Sequence, residues 1–336
     1  MIDVPHRQTD GRAEPTLIFG LDDPHGLAAA IAACVEGEVG AIELRDFADG
    51  EFKIRPLVDP YGRRACVVAG LYADARRSPQ DRLCMLIFLV AALRDHGAVS
   101  VDVIAPYLPF ARKDRRTQPH DPASLRYLAQ CLEAAGATSM IALEPHNPAA
   151  FDNAFRIRAC ATPAHRALLD AAIAATGDQA LVLASPDPGG IRRAQLWREA
   201  IEARTHRRAG FAMLDKRRRA DAIDGALTVC GDVRDACVLV IDDLIATGAT
   251  LARACRAFAC SGARRVIVAA AHAQFLDRAA DLLDAAGVDA LLVSDSLPSA
   301  RLAGHRLRER LTVVSAAPSL AALLNPRVRP RSTVLA

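Results

Sequence analysis

An acidic strand end that runs into a small-residue loop is the strongest chemical signal in the sequence. Residues 237–241 form an apolar run typical of a buried strand, and Asp242 and Asp243 follow it directly. The loop 246–250 then supplies two alanines, a glycine and two threonines ahead of a helical stretch. Small residues let backbone N–H groups approach an anion, and a helix N-terminus adds positive potential. We interpret this as a phosphate site whose paired carboxylates can hold Mg²⁺ or sugar hydroxyls; an ordinary strand–turn–helix with an Asp cap is the alternative.

Lysine is rare in this chain, so each lysine is informative. Of 42 basic residues, only Lys53, Lys113 and Lys216 are lysines. Lys216 and Arg218 lie in a charge-rich segment, 215–221, which we expect to form a mobile loop that closes over a substrate. A solvated run of charges is the alternative for such a segment, but a lysine in an arginine-biased chain favours a functional role.

Two further candidates each come just after an apolar run. His146 follows the run 140–143, and Asp187 follows the run 181–184. Ligands of open parallel sheets bind beyond the carboxyl ends of the strands, so both side chains lie where a ligand would bind. A hydrogen-bonded histidine that holds no metal is the alternative for His146.

The elements that would position these residues are predicted strands alternating with helices. Apolar, β-branched runs recur at residues 65–69, 101–105, 140–143, 181–184, 238–241, 266–270 and 291–293. The stretch 121–135 is typical of a helix, with Asp121 as N-cap and Gly136 after its end. Alternating strands and helices predict an α/β fold whose sheets are mainly parallel, with right-handed crossovers.

An internal repeat predicts two domains. The segment from Gly136 to His146 resembles the segment from Gly262 to His272: Gly-Ala ends a helix, a strand follows, and a histidine comes ten positions after the glycine. The offset, 262 − 136 = 126 residues, is close to the size of one domain. We therefore expect two similar tandem domains, residues 15–160 and 161–325, and a flexible tail, 326–336.

Composition excludes several function classes. The net charge is +3 and aromatic residues make up 4%, which argues against a nucleic-acid-binding surface. The nine cysteines include no CxxC pair, so we expect reduced and mostly buried thiols. The first fourteen residues contain no apolar stretch of a signal peptide, and the longest apolar run, 83–93, is too short to cross a bilayer. We expect a cytoplasmic protein with no membrane partner.

Five ordered motifs carry a resemblance to a known family. Residues 240–250 resemble the phosphoribosyl-diphosphate (PRPP) motif of type I phosphoribosyltransferases and of ribose-phosphate pyrophosphokinases. The rest of the chain, from about residue 17 to about 322, resembles the second family. The other four motifs are Phe-Ala-Asp-Gly-Glu at 47–51, Pro-Tyr-Leu-Pro-Phe-Ala-Arg-Lys-Asp-Arg at 106–115, Ser-Pro-Asp-Pro-Gly-Gly at 185–190 and Asp-Lys-Arg-Arg at 215–218.

The resemblance implies a fold, a reaction and roles for individual residues. It implies two type I phosphoribosyltransferase-like domains and transfer of the diphosphoryl group of ATP to the C1 hydroxyl of ribose 5-phosphate. By resemblance, Lys216 and Arg218 stabilise the transition state, and His146 and Asp187 bind Mg²⁺. The implied ribose 5-phosphate site comprises Asp242, Asp243, Ala246, Thr247, Gly248, Ala249 and Thr250. The implied ATP site comprises Phe47, Asp49, Glu51, Arg112 and Lys113; the family takes the first three from a neighbouring subunit, which implies at least a homodimer.

Departures from the family pattern keep other functions open. Ala246 replaces an aspartate and Ala249 a glycine of the family's sugar-phosphate loop, and we expect Ala249 to reshape it. Lys113 replaces a glutamine, and Glu144 with Pro145 replaces Asp-Leu. The alternatives are a diphosphokinase for another sugar phosphate, a catalytically silent regulatory paralogue and a phosphoribosyltransferase. The family's phosphate/ADP regulatory segments also differ here, so the resemblance does not imply that regulation.

Overall fold

The first sheet is entirely parallel and has six strands among the described residues. A computed structural model describes residues 14–23, 25–216 and 227–324. With strands numbered along the chain, the strand order in this first sheet is β2-β1-β5-β6-β7-β8. The strands are β1 (Leu17–Leu21), β2 (Glu38–Gly40), β5 (Arg64–Ala69), β6 (Ser100–Ala105), β7 (Ser139–Leu143) and β8 (Arg158–Thr162). The helices are α1 (Leu27–Val35), α2 (Pro79–Asp95), α3 (Ser124–Ala134) and α4 (Pro148–Ala154).

A separate antiparallel hairpin lies beside this sheet. It is formed by β3 (Ile42–Asp46) and β4 (Phe52–Pro56), with Leu44 opposite Ile54. The ring of Phe52 lies 5.3 Å from that of Phe88 on α2, so the hairpin packs on this helix through apolar contacts. The turn of the hairpin, residues 47–51, extends beyond that contact.

The second sheet has seven strands in the order β11-β10-β9-β12-β13-β14-β15. Only the β10–β11 pair is antiparallel. The strands are β9 (Leu181–Ser185), β10 (Gly210–Lys216), β11 (Leu227–Cys230), β12 (Cys237–Ile245), β13 (Arg265–Ala273), β14 (Ala290–Ser294) and β15 (Leu311–Val314). The helices are α5 (His165–Thr176), α6 (Ile191–Thr205), α7 (Ala249–Cys260), α8 (Ala279–Ala285) and α9 (Ala317–Leu324).

All seven predicted strands are present, and the α/β prediction is confirmed. They are the central strands β5, β6, β7, β9, β12, β13 and β14, whose residues are buried on both faces of the sheet. Such strands have continuous apolar runs, which is why the sequence revealed them. Strands of mixed polarity near the sheet edges, such as β2 and β15, gave no such signal.

The start of one helix was predicted wrongly. α3 begins at Ser124, without a side-chain cap, and not after Asp121. The carboxylate of Asp121 instead accepts hydrogen bonds from Thr117 and from the backbone N–H of Gln118, so it closes the preceding turn. The predicted helix end is correct: Gly136 has φ 97° and Ala137 donates its N–H to the carbonyl of Leu132.

The last helix returns to the first domain. Ala317, Leu320 and Leu324 of α9 pack against Ile18 and Ile31 of the first domain's core. Arg158 and Arg64 donate hydrogen bonds to the last carbonyls of this helix, those of Leu323 and Leu324, at 2.9 and 3.5 Å. The domain limits 15–160 and 161–325 remain a prediction, but α9 adds its apolar face to the core of the first domain.

The cysteine prediction is confirmed in part. All nine cysteines lie in the described residues and are free thiols. Only four of them are buried, however: Cys66, Cys160, Cys237 and Cys255. The predicted tail, 326–336, lies outside the described residues. No helix of the described chain has both the length and the apolar character needed to cross a bilayer.

Candidate functional site

The loop after β12 has the geometry of an anion site. Gly248 adopts φ 72° and immediately precedes α7, whose first residue is Ala249. A Cβ at Gly248 would lie 3.2 Å from the backbone of Ala279, so both conformation and space favour glycine here. Ala249 is not among the described residues with positive φ, and the expectation that it reshapes the family's loop stays a prediction. Thr247 is exposed and Thr250 half-buried, in the first turn, where free N–H groups meet a ligand.

A hydrogen bond between His146 and Asp243 joins the two domains just before this loop. His146 lies three residues beyond the end of β7, and its Nδ1 is 2.6 Å from Oδ2 of Asp243 on β12. Burial alone would raise the pKa of Asp243, but the hydrogen bond from His146 and the charge of Arg193 outweigh it and lower the pKa. The ionised carboxylate accepts, so Nδ1 donates, and in the described part of the chain no hydrogen bond engages Nε2 of His146.

Asp242 is in a different electrostatic state from its neighbour. Burial raises the pKa of Asp242 well above its ordinary value, and the adjacent Asp243 adds to this rise. Oδ1 of Asp242 accepts the backbone N–H of Asp243 at 2.9 Å. The Asp242 side chain is partly exposed, whereas Asp243 is 8% exposed and engaged by two partners. The two neighbours therefore differ: Asp243 is an ionised carboxylate at the interdomain contact, whereas burial favours the neutral acid at Asp242.

Arg193 and Glu144 complete the interdomain contact. Arg193, on the first turn of α6, donates from Nε to Oε1 of Glu144 at 2.9 Å. Its Nη1 lies 3.7 Å from Oδ1 of Asp243, and its Nη2 donates to the carbonyl of His146 at 3.4 Å. The other oxygen of Glu144 accepts the backbone N–H of Ala164 at 2.7 Å. One arginine thus connects both carboxylates and the backbone of the candidate ligand.

His272, the repeat counterpart of His146, also reaches the other domain. It is 4% exposed, and its Nε2 lies 3.1 Å from the carbonyl of Leu143 at the end of β7. Its Nδ1 lies 2.8 Å from Oγ of Ser296. Burial lowers the pKa of His272 to about 4, against the opposing influence of Asp243 and Glu144. The histidine is therefore neutral near pH 7 and has a structural role.

Asp187 lies at the same sheet edge as Asp243. β9 and β12 are neighbours, with Ala184 opposite Val240, and each aspartate follows its paired residue by three positions. Oδ1 of Asp187 accepts the N–H groups of Gly189 and Gly190 at 2.9 and 3.3 Å. The described residues contain no group of three or more His, Cys, Asp and Glu arranged to hold a metal ion.

The predicted catalytic pair lies mainly outside the described residues. Lys216 is the last residue of β10, which pairs with β9 in parallel at Met213 and Ser185. Its backbone is thus three residues beyond the end of β9, at the sheet edge where Asp187 lies. Arg218 lies outside the described residues, and the expected mobile loop at 215–221 falls largely outside them too.

The predicted adenine-binding residues form the turn of the β3–β4 hairpin. The N–H of Phe47 donates to the carbonyl of Glu51 at 2.8 Å, and Asp49 accepts the N–H of Glu51 at 3.0 Å. Phe47 is 40% exposed, and the guanidinium of Arg45 lies 5.2 Å from its ring centre. Among the described residues, no hydrogen bond or ion pair joins this turn to the interdomain contact.

Arg112, unlike the hairpin turn, lies at the interdomain contact. A cavity of about 60 Å³ is lined by Arg112 together with His146, Asp243 and His272. Asn147 donates to Asp114 at 2.7 Å, which ties the motif 106–115 to the loop that carries His146. Lys113 points elsewhere: its Nζ is 3.8 Å from Oδ2 of Asp121.

Sequence reasoning missed three residues of this contact. Arg193, Glu144 and His272 are engaged across the two domains. Glu144 had been noted only as a departure from the family, and His272 only as the second half of a repeat. The one feature in the sequence that pointed to Arg193 was its position in the first turn of a helix, three residues after the Gly189-Gly190 pair.

Comparisons with known proteins agree with this architecture. A family profile described as the N-terminal domain of ribose phosphate pyrophosphokinase matches residues 16–136, and one described as the phosphoribosyl synthetase-associated domain matches residues 214–313. The chain is 29% identical over 310 residues to a ribose-phosphate pyrophosphokinase of Ureaplasma parvum, covering 91% of this chain and 89% of that protein. It is 27% identical over 304 residues to the Thermotoga maritima protein of the same name, covering 89% and 91%.

A solved structure extends the similarity to three dimensions. The crystal structure of phosphoribosylpyrophosphate synthetase from Mycobacterium smegmatis aligns with a TM-score of 0.80 at 27% identity. The alignment covers 93% of this chain and 98% of that one. The alignment therefore spans both sheets.

Proposed function

The chain belongs to the ribose-phosphate pyrophosphokinase family, and from this membership we propose that it makes PRPP and AMP from ribose 5-phosphate and ATP. The relatives that carry the enzyme's name match over nearly their whole length, so neither domain is missing here. A phosphoribosyltransferase would leave the first domain and the Asp-Lys-Arg-Arg motif without a role.

One observation carries the proposal: the His146–Asp243 contact brings the candidate metal ligand to the sugar-phosphate loop. His146 comes from the first domain, and Asp243 lies near the end of β12, just before the sugar-phosphate loop. A ribose 5-phosphate bound at the loop and a nucleoside triphosphate bound near His146 would therefore be adjacent. Adjacency of this kind is what a direct transfer between the two substrates requires.

The residues present fit a Mg²⁺ ion that is held largely by substrate. His146 contacts Asp243 through Nδ1, and Asp187 accepts backbone N–H groups through Oδ1. Within the described residues, no hydrogen bond engages the other atom of each side chain, Nε2 of His146 or Oδ2 of Asp187. Mg²⁺ typically takes one or two protein ligands and completes its shell with phosphate oxygens and water. A bound Mg²⁺ would supply positive charge to the phosphate oxygens.

The reaction is an in-line displacement at the β-phosphorus of ATP. The C1 hydroxyl oxygen of ribose 5-phosphate forms a bond to that phosphorus while the bond to the oxygen shared with the α-phosphorus breaks. AMP leaves with the electron pair, and the hydroxyl proton is released. Positioning and cationic side chains supply most of the catalysis in such a transfer. We assign the cationic part to Lys216, the last residue of β10, and to Arg218, which lies outside the described residues.

The ATP site is proposed to be shared between subunits. Arg112 lines the cavity with His146, whereas the turn 47–51 lies on the hairpin with Phe47 exposed. The exposed ring of Phe47 is suited to stacking on adenine. In a dimer, the Phe47 of one subunit can reach the ATP site of the other subunit. We propose at least a homodimer on this basis, with residues 47–51 acting in the adjacent subunit's site.

The deciding experiment is a panel of sugar phosphates with ATP and Mg²⁺, scored for AMP. Formation of AMP that depends on ribose 5-phosphate, with PRPP as the second product, supports the proposal. AMP formation with another sugar phosphate and not with ribose 5-phosphate would make this a diphosphokinase of different specificity. Ala246, half-exposed in the loop, is the observation that favours this second candidate. Tight ATP binding without AMP from any sugar would indicate a silent paralogue and would contradict both.

A further inference from the structure

Arg193 connects the two domains at the candidate site, and we propose that it is a positioning residue that holds His146 and Asp243 in their productive arrangement. The inference rests on the proposed function, because it assigns a role within that reaction. It concerns a side chain that touches no substrate and acts through the residues it holds.

The contacts of Arg193 run in three directions from one guanidinium. Nε donates to Glu144 at 2.9 Å, Nη2 donates to the carbonyl of His146 at 3.4 Å, and Nη1 lies 3.7 Å from Asp243. Asp243 in turn binds His146 at 2.6 Å. The result is a closed circuit in which the ring and backbone of His146 are both fixed relative to β12. A planar fork of donors suits such simultaneous contacts, and a lysine could not make all of them.

The surroundings of Arg193 argue against direct substrate binding. Its side chain is 13% exposed, and its three nitrogens are directed at protein acceptors. Two carboxylates, Glu144 and Asp243, balance its charge. A phosphate would have to displace these partners to bind it.

Glu144 is the anchor of this circuit. It is 8% exposed and adopts φ 39°, a backbone conformation that is costly for glutamate and persists only where contacts enforce it. Both of its oxygens are used, one by Arg193 and one by the N–H of Ala164. The end of β7 is therefore held in a fixed conformation from which the chain continues to His146. A shorter carboxylate at this position would not span both partners.

Loss of Arg193 should lower kcat with little effect on KM. No substrate contact disappears, but a displacement of about 1 Å in the reacting groups can cost on the order of a hundredfold in rate. We expect Arg193→Lys and Arg193→Met to lower kcat about a hundredfold, with both KM values within about threefold. The matched control is Arg192→Ala, the exposed neighbour on α6, which should leave kcat unchanged. Glu144→Asp should resemble Arg193→Lys.

A second measurement does not depend on turnover. Hydrogen–deuterium exchange of the full-length protein without substrates should increase in residues 143–147 and 242–250 together in the Arg193 and Glu144 variants, and not in Arg192→Ala. These segments belong to different domains, so a joint increase reports loss of the connection. If Arg193→Met fails to fold, Arg193→Lys and Glu144→Asp provide the same comparison.

The outcomes separate this inference from the proposed function. An inactive wild type would contradict the proposed function, while the exchange data would still test the circuit. Exchange that rises only within α6, or an Arg193→Lys variant with wild-type kcat, would overturn the positioning role. A KM that rises tenfold at unchanged kcat would also overturn it, because Arg193 would then contact substrate.

Discussion

Nδ1 of His146 lies 2.6 Å from Oδ2 of Asp243, although 97 residues separate them in the chain. His146 follows a strand of the first sheet and Asp243 lies on a strand of the second, so this hydrogen bond forms only when the two domains are in place. His272 makes the reciprocal contact, from β13 of the second domain to the carbonyl of Leu143 in the first. The two copies of one repeat motif thus hold the same interface from opposite sides, and only His146 is left exposed to a ligand.

Replacement of Lys216 by alanine should abolish turnover and spare ATP binding. A cation that acts on transition-state charge is worth about a thousandfold or more in phosphoryl transfer. AMP formation and calorimetric ATP binding measure the two effects separately. Lys53→Ala is the matched control, since Lys53 lies on the exposed hairpin with its Nζ 3.4 Å from Glu43. Full activity in Lys216→Ala would show that our catalytic assignment is wrong.

The two alanines of the sugar-phosphate loop should respond differently to reversion. Ala246→Asp restores a carboxylate near the sugar, and we expect the KM for ribose 5-phosphate to fall about tenfold, the worth of a hydrogen bond to a charged group. Ala249→Gly should not lower this KM, because residue 249 starts α7 and needs no positive φ. It should instead destabilise the protein by up to about 1 kcal/mol in urea unfolding, the usual cost of glycine in a helix. An unchanged KM in Ala246→Asp would argue that this position does not face the sugar.

Subunit mixing should reveal whether the turn 47–51 acts in a neighbouring site. Phe47→Ala and Lys216→Ala should each be inactive alone. Random mixing in a dimer makes half of the molecules heterodimers with one intact site each, so about a quarter of wild-type activity should return. Differently tagged chains that co-purify without recovering activity would place Phe47 in the site of its own chain.

Acid should destabilise the protein through His272. Its pKa falls from an ordinary 6.5 to about 4 on folding because burial disfavours the charged ring. Between these two pH values the unfolded chain binds a proton at this histidine that the folded chain does not. The free energy of unfolding therefore rises as pH increases from about 4 to 6.5, and it decreases as pH falls through the same window. The full effect is at most about 3 kcal/mol. Urea unfolding of His272→Gln at pH 5, 6 and 7 should show a flatter dependence, and the exposed His96→Gln should not; equal slopes in wild type and His272→Gln would contradict this.

Local sequence was sufficient for the central strands and the loop after β12. The runs at 238–241 and 266–270 are apolar because both faces of these strands are buried, and this leaves a continuous signal in the chain. Gly248 was identified as part of a small-residue loop ahead of a helix, and it adopts φ 72° there. The start of α3 was not, because Asp121 had two competing uses, a helix cap and a turn closure, and the tertiary structure selected the second.

The sequence by itself determined the fold class, the family and the identity of the candidate ligands, since these depend on residue types at short spacing. Only the tertiary structure decided that Asp243 is engaged by His146 and Arg193, that His272 is buried, and that α9 packs on the first domain. The physical reason is that these contacts join segments far apart in the chain. Their energies depend on burial and on opposing charges that exist only after both sheets have formed and met.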